Sequence, residues 1–524
     1  MISFEKMVKQ EEKFLKKTRK DSEKMDISYW LDTKVKKEFP SLEENEETKI
    51  CVIGGGMTGL TTAYYLSKAG FPVILLEKDR IGEHTSGNTT AKITSQHGLF
   101  YDYLLQSLGI QKASQYYFAN EQAIRNIESI VENEKIDCHF QKQNAYVFTE
   151  SEKQVEKIKK EVNAVTKIGG HPKFVKDLPI PVSCKGAICF ENQAQFHPYL
   201  YMQGLADCIT KYGGKIYENT KVYDINSDKD IYEIATEKAK VRASIVILAT
   251  HYPIINFPGF YFMKMYQEVS YLIAFETQHH DWEGLYINEE KPTISLRKTE
   301  NGLVLLGGEE HKTGEKVPLK DRYANLEARA KHLFPDAQIR YRWNTEDCIP
   351  LDKIPYIGEF SNLMPNVYVA TGYKKWGMTH ANIAANIITD KIQGKNNPYA
   401  DVFDATRLKP IKNYQELMEM GKQVGKSLVL DKLKMPKELL KELQPEEGKI
   451  LEVEGQKVGV YCDIQGNYHF IKPVCSHLGC ELTWNPLDKV WDCPCHGSRF
   501  SYDGESLEAP SIKHLERLEG GDIS

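Results

Sequence analysis

No stretch of this chain approaches the roughly eighteen consecutive apolar residues that a membrane-spanning helix needs. The opening segment MISFEKMVKQEEKFLKKTRK lacks the apolar core of a secretion signal, so the expected location is the cytoplasm. An excess of one charge is also missing. With 68 basic and 73 acidic residues the formal net charge is -5, which offers no electrostatic footprint for nucleic acid or an anionic surface. Internal repeats are absent, and so is a second glycine-rich nucleotide motif. Cys51, Cys138, Cys184, Cys189, Cys208 and Cys348 show no framework spacing, which excludes a disulfide scaffold and suits free core thiols in a reducing compartment. What remains is ordinary for a globular protein: 41% hydrophobic and 27% charged residues. At 524 residues the chain is too long for one core and implies two or three domains.

Two short clusters near the C-terminus carry the most information. Cys475-Ser476-His477 and Cys493-Pro494-Cys495-His496 bring two cysteines and two histidines together in paired short spacings. Such a set suits an iron–sulfur cluster with thiolates on one iron and neutral imidazoles on the other, or a tetrahedral structural zinc ion. Each pair also has an extra cysteine in its loop, Cys480 and Cys495, which argues against zinc. The run CSHLGC…CPCHGS resembles the Rieske [2Fe–2S] family of the cytochrome bc type. The resemblance implies that Cys475 and Cys493 bind one iron, that His477 and His496 bind the other, and that Cys480 and Cys495 form a disulfide. It also implies a hydroxyl from Ser498 to a cluster sulfide and a shielding loop at Glu508–Ser511. Phe500 stands where bc-type members usually carry a tyrosine that donates to a ligand thiolate. A potential below that of respiratory Rieske proteins is therefore expected.

Far upstream, Lys49–Ile53 reads as a buried strand running into Gly54-Gly55-Gly56-Met57-Thr58-Gly59. A helical pattern over 60–68, an apolar run Val73–Leu76 and Glu77 complete the unit. Each part has a reason: Gly54 for the tight turn, Gly56 for approach to a pyrophosphate, Gly59 for helix–sheet packing, and Glu77 for ribose hydroxyls. Two further segments resemble the D-amino-acid oxidase family of flavoenzymes, which includes glycine and sarcosine oxidases. One is GEHTSGNTTAK at Gly82–Lys92, the other NVYVATGYKKWGMTHANIAANII at Asn366–Ile388. The resemblance implies FAD, held by Gly54, Gly56, Met57, Thr58, Gly59, Glu77, Lys78, Ser86, Gly87, Thr89, Thr90, Val222, Ala249, Gly372, Gly377, Met378 and Thr379. The helix beginning near Met378 would point its positive end at the flavin and stabilise reduced flavin. Ser244–Thr250 reads as another buried strand, ending where the family has ATG. His251 replaces that glycine, so a different local turn is expected.

Together these readings give an α/β doubly wound FAD-binding fold with an interleaved, mainly antiparallel substrate domain, plus a C-terminal all-β Rieske domain. The expected divisions are a helical arm over 1–47, the flavin unit over 48–395, a linker over 396–436 with a helix near 414–422, and the cluster domain over 437–524. Strands are expected at Tyr266–Phe275, Thr293–Lys298 and Leu303–Gly308, with a helix over Leu326–Leu333. Candidate active-site residues are His97, Lys374, Trp376 and Arg342, with His84 and Lys92 nearby. Each has a structural alternative, and for Arg342 this is an ion pair in place of a carboxylate clamp. The expected activity is oxidation of a small amine or amino acid, with hydride passing to flavin and electrons going singly to the cluster and then to an outside acceptor. A reductase fed by NAD(P)H or a redox protein, and a non-enzymatic redox sensor, are the alternatives.

Overall fold

The computed structural model describes residues 27–518 apart from 34–36, 229, 256, 280, 316–321, 408–439, 441–442 and 454–455. Most of the expected N-terminal arm and the expected linker helix near 414–422 lie outside the described residues. The described part of the arm, from residue 27, carries no helix, and the first strand, Glu46–Ile53, starts inside it.

That strand pairs in parallel with Val73–Leu76 on one side and Lys240–Leu248 on the other. Lys215–Tyr217 extends the sheet in parallel beyond Val73–Leu76, Met364–Thr371 does so beyond Lys240–Leu248, and the antiparallel edge strand Tyr356–Ser361 closes it. All four residues of Val73–Leu76 and the last four of Glu46–Ile53 are buried, as a parallel sheet covered on both faces requires. The helices Met57–Lys68 and Gly377–Ile392 share one core with this sheet, through residues such as Leu60, Ala63, Ala381 and Ile388.

A nine-stranded sheet, antiparallel except where Leu285–Asn288 runs parallel to Gln141–Thr149, forms the interleaved second layer. The expected strands appear as Met265–Glu276, Ile294–Lys298 and Val304–Lys312, and the expected helix as Arg322–Leu333. Met265–Glu276 pairs along its length with Gln338–Pro350, so that Glu268 faces Asp347 and Val269 faces Glu346 across the ladder. Successive side chains of a strand point to opposite faces, which gives this pair two different surfaces.

The stretch after residue 395 departs from the linker expectation. Val402 and Phe403 are buried, and Arg407 reaches back to Asp352 at 2.8 Å, so residues up to 407 pack on the flavin half. Apolar side chains in that stretch outweighed its turn-forming composition. The C-terminal region is two small antiparallel sheets, Gly448–Ile471 in three strands and Thr483–Glu508 in four. Their core of Ile471, Leu482, Trp491 and Phe500 surrounds Cys475, Cys480, Cys493 and Cys495.

Candidate functional site

Two loops of matching form carry the metal-ligand motif. In each, the first cysteine's carbonyl accepts from a glycine four residues on: Gly479 to Cys475 and Gly497 to Cys493, both at 2.9 Å. Each first cysteine's N–H closes the loop at 2.8 Å, onto the carbonyl of Cys480 and of Ser498 respectively. Gly479 and Gly497 have φ of 78° and 84°, a region open to glycine at little cost. The loops face each other, with the His477 and His496 rings 5.0 Å apart and nearly perpendicular. Cys480 and Cys495 are joined by a disulfide, which leaves Cys475 and Cys493 as the free thiols of the pair of loops. A hydrogen bond from Cys493 lowers the Cys475 thiol to about 7, and the same contact, with burial, pushes Cys493 up. Burial lowers His477 to about 4 and His496 to about 3, which keeps both imidazoles neutral and able to ligate. The Nδ1 of His496 is buried without a hydrogen-bond partner among the described residues, as a nitrogen reserved for a metal would be. This donor set fits a two-thiolate, two-imidazole cluster. Ser498 sits beside Cys475 and accepts from the Ser511 amide at 3.0 Å, which ties the Glu508–Ser511 loop to the centre. Phe500 is fully buried.

A cavity of about 780 Å³ lies between the parallel sheet, the nine-stranded sheet and the C-terminal region. From the dinucleotide motif it is lined by Gly54, Gly56, Met57, Thr58, Glu77 and Lys78, and from the following loop by Ser86, Thr89 and Thr90. Val222, Ala249, Gly372, Gly377 and Met378 line it as well. Gly59, Gly87 and Thr379 stand behind the wall: a Cβ on Gly59 would lie 1.8 Å from the Gly54 carbonyl oxygen, and one on Gly87 would lie 2.2 Å from that of Gly82. Thr379 is buried beside His97. Gly54 has φ of 108°, and a Cβ there would meet the Ala249 carbonyl oxygen at 2.4 Å. Gly56 starts the helix Met57–Lys68 without a side-chain cap, and the Met57 amide donates to Ser86 Oγ at 3.0 Å; the positive end of this helix lines the cavity, where it favours an anion. The Glu77 carboxylate accepts from the amides of Gly55, at 2.6 Å, and Asp79, at 3.0 Å. His251 has φ of 64°, in the left-handed region that favours glycine. The chain holds this backbone with hydrogen bonds to the His251 carbonyl from Thr371 and Cys348. Its Nε2 is buried at the cavity without a partner among the described residues. The cradle fits a dinucleotide carrying a diphosphate.

The remaining candidates divide. Lys374, Lys375, Trp376, His97, His84 and Lys92 line the cavity. Arg342 does not; its guanidinium pairs with Glu327, and no arginine lines the cavity among the described residues. Both ring nitrogens of His97 are engaged, by Tyr116 at 2.7 Å and the Thr94 carbonyl at 2.9 Å, and its ring stacks on Trp376 at 4.7 Å. Lys92 donates to the Tyr286 carbonyl at 2.8 Å, and burial pulls its ammonium well down. Lys374 lies over the Phe100 ring at 4.2 Å, and burial with its lysine neighbours Lys353 and Lys375 lowers it to about 8. Lys375 pairs with Glu268 at 3.2 Å.

Several functional contacts lie beyond the sequence reading. Residues Ser506–Ala509, Ser511 and Ile512 of the C-terminal region wall the cavity directly. Lys78 donates to the Leu507 carbonyl, and His84 bridges Asp79, at 2.6 Å, and Glu508, at 3.4 Å. Burial alone would push His84 down, but these two carboxylates hold it up to about 10. Asp347 also lines the cavity, where burial lifts its carboxyl to about 6. The one available signal was acidic residues placed within apolar strands.

Residues 49–391, well over half the chain, match the family described as "FAD dependent oxidoreductase". The chain belongs to that family. Residues 435–519 match the Rieske [2Fe-2S] domain, so this FAD-dependent oxidoreductase carries a second cofactor, a [2Fe–2S] cluster. The chain is 38% identical over 495 residues to the Rieske 2Fe-2S iron-sulfur protein YhfW of Bacillus subtilis, spanning 94% of this chain and 97% of that one. It is 24% identical to the gamma-glutamylputrescine oxidoreductase of Escherichia coli, over 70% of this chain and 88% of the relative. Glycine oxidase from Geobacillus kaustophilus shares the fold with a TM-score of 0.61 at 18% identity, covering 70% of this chain and 100% of that one. L-proline dehydrogenase from P. horikoshii gives 0.60 at 18%, covering 69% and 98%. Among the described residues no helix is long and apolar enough to cross a membrane.

Proposed function

We propose that this chain oxidises a small amine or amino acid at the flavin and passes the electrons singly to the Rieske cluster, which delivers them to an outside one-electron acceptor. FAD accepts electrons in pairs and a Rieske cluster carries them one at a time, so the two together convert a two-electron oxidation into single-electron transfer. The observation that carries this reading is the shared wall: one cavity is lined by the dinucleotide loops and by Ser506–Ala509, Ser511 and Ile512 of the cluster-bearing half. Amine chemistry is supported by the relative named for gamma-glutamylputrescine, a compound with a free amine.

In this reading Gly54, Gly56, Met57, Thr58, Glu77, Lys78, Ser86, Thr89, Thr90, Val222, Ala249, Gly372, Gly377 and Met378 hold FAD, with Gly59, Gly87 and Thr379 shaping the wall behind them. Cys475, Cys493, His477 and His496 hold the cluster. The strand pair bearing Glu268 and Asp347 offers carboxylates to a cationic amine, and Trp376 with His97 forms a flat side wall. Holding the reacting C–H at the ring then carries much of the rate. The scattered free thiols agree with a cytoplasmic setting.

An anaerobic screen of amines, amino acids and NAD(P)H tests this, with flavin and cluster absorbance followed by stopped flow. Bleaching of flavin by an amine, then reduction of the cluster, is the expected sequence. Cluster reduction with no substrate-driven bleaching, or bleaching by NAD(P)H alone, refutes it.

A further inference from the structure

The geometry points to Gln267 as the residue that couples the two cofactor sites, with the strand Met265–Glu276 as the partition electrons cross. This rests on the two-cofactor reading above and adds its route. Tyr266, Glu268 and Ser270 line the flavin cavity, while Gln267 lies between them in sequence and points away. Its side chain is 1% exposed. The Nε2 group donates to the carbonyl of His496 at 3.1 Å and to the carbonyl of Ala509 at 2.8 Å, one contact to each loop beside the cluster. His496 is one of the four residues assigned to the cluster, so a single side chain connects the wall of one site to the backbone of a ligand in the other.

The approach is close by construction. A Cβ on Gly497 would lie 2.6 Å from the Gln267 Cβ, and Gly497 has φ of 84°, so only glycine lets the cluster loop settle here. The Thr313 amide donates to the Gln267 carbonyl at 3.0 Å and fixes the backbone on the same side. Across the ladder Gln267 is opposite Cys348, which lines the cavity and whose thiol reaches the His251 carbonyl. Electrons tunnel more readily along bonded and hydrogen-bonded atoms than across a gap. The path of strand backbone, amide, carbonyl and ligand ring contains no gap. The first step would move one electron from reduced flavin to a ferric ion of the cluster and make or break no covalent bond. An external one-electron acceptor would then reoxidise the cluster, and the second electron would leave the flavin together with its N5 proton, which passes to solvent.

A purely adhesive role predicts something different, and laser-flash photoreduction of the flavin in the full holoprotein separates the two without any substrate. The rate of cluster reduction after the flash is compared in the unaltered chain, Gln267→Leu, Gln267→Asn and Asn344→Ala. Asn344 donates to Asp488 at 2.7 Å and so belongs to the same interface but not to the path. Gln267→Leu is expected to slow transfer on the order of tenfold, with Gln267→Asn between, while Asn344→Ala leaves it unchanged. Cluster g-values and reduction potential stay put throughout. Unchanged transfer in Gln267→Leu overturns the coupling role alone, as does equal slowing in Asn344→Ala. If Gln267→Leu fails to fold, an unchanged rate in Gln267→Asn overturns it instead. No transfer in the unaltered chain sinks the two-cofactor reading as well.

Discussion

Arg499, from the cluster-bearing half, lies 3.3 Å from Glu346 on the strand whose neighbours Thr345 and Asp347 line the flavin cavity. Both side chains are nearly inaccessible, at 8% and 5%, and Arg499 also reaches Asp488 and Asp492. Three acidic side chains thus lean on one guanidinium. Neutral donors also reach them, Asn344 and Asn485 to Asp488, Asn485 to Asp492 and Thr313 to Glu346, but none replaces the charge, so Arg499→Met is expected to destabilise the chain by about 3–5 kcal/mol. Calorimetry of the holoprotein reads this as an earlier transition, and an unshifted profile contradicts it.

His84 ties Asp79 to Glu508 across the same boundary. Its pKa is raised from 6.5 to about 10, so its stabilisation is full below pH 6.5 and is lost as pH climbs through 10. The side chain is 40% exposed, and solvent screening keeps the effect modest. Denaturation midpoints of the unaltered chain and His84→Gln should differ at pH 6 and converge above pH 10. A gap that persists in alkali counts against the pair.

Gly54 combines φ of 108° with a carbonyl oxygen 2.4 Å from where a Cβ would sit. Gly54→Ala incurs backbone strain of about 1–3 kcal/mol plus the clash, at the turn that approaches the diphosphate. The expected product purifies without yellow flavin yet keeps the cluster's visible and EPR signals. Full flavin content in Gly54→Ala shows that the cradle lies elsewhere.

Phe500 is packed without exposure in the core that surrounds Cys475 and Cys493, at the position where the Rieske resemblance implies a tyrosine. A hydrogen bond that favours the reduced cluster by about 1 kcal/mol raises a one-electron potential on the order of 40 mV. Phe500→Tyr should shift protein-film voltammetry upward by that order, starting from a value below that of respiratory Rieske proteins. A lower or equal potential in the variant would show that the new hydroxyl does not reach the sulfur.

Lys374 titrates at about 8, pulled down by burial and by Lys353 and Lys375. Losing its charge at the wall of the cavity proposed to hold FAD should perturb the flavin spectrum. A pH titration of substrate-free protein is expected to show a change centred near pH 8 that Lys374→Met abolishes. Its persistence in Lys374→Met assigns the transition to another group.

The dinucleotide unit was legible because every part of it is local: Val73–Leu76 has the bounds its apolar run suggests, and the glycines are read by position. The cluster loops were legible for the same reason. What could not be read is which strand face meets which neighbour. Gln267 touches His496 from 229 positions away, a pairing that no periodicity encodes. Arg342 shows the same limit. Its strand position leaned only slightly toward an ion pair over a clamp, and it is the docking of the helix Arg322–Leu333, which brings Glu327 alongside, that supplies the partner. His251 shows another: its place after the apolar strand was legible, but not that Thr371, 120 positions on, would bond its carbonyl and help hold the left-handed backbone there.

Ser506–Ala509, Ser511 and Ile512 close one side of the dinucleotide cleft, so the cluster-bearing half is part of the flavin's own container. The flavin half cut away from it would hold a cleft with one wall missing, open to water and to dioxygen along that side.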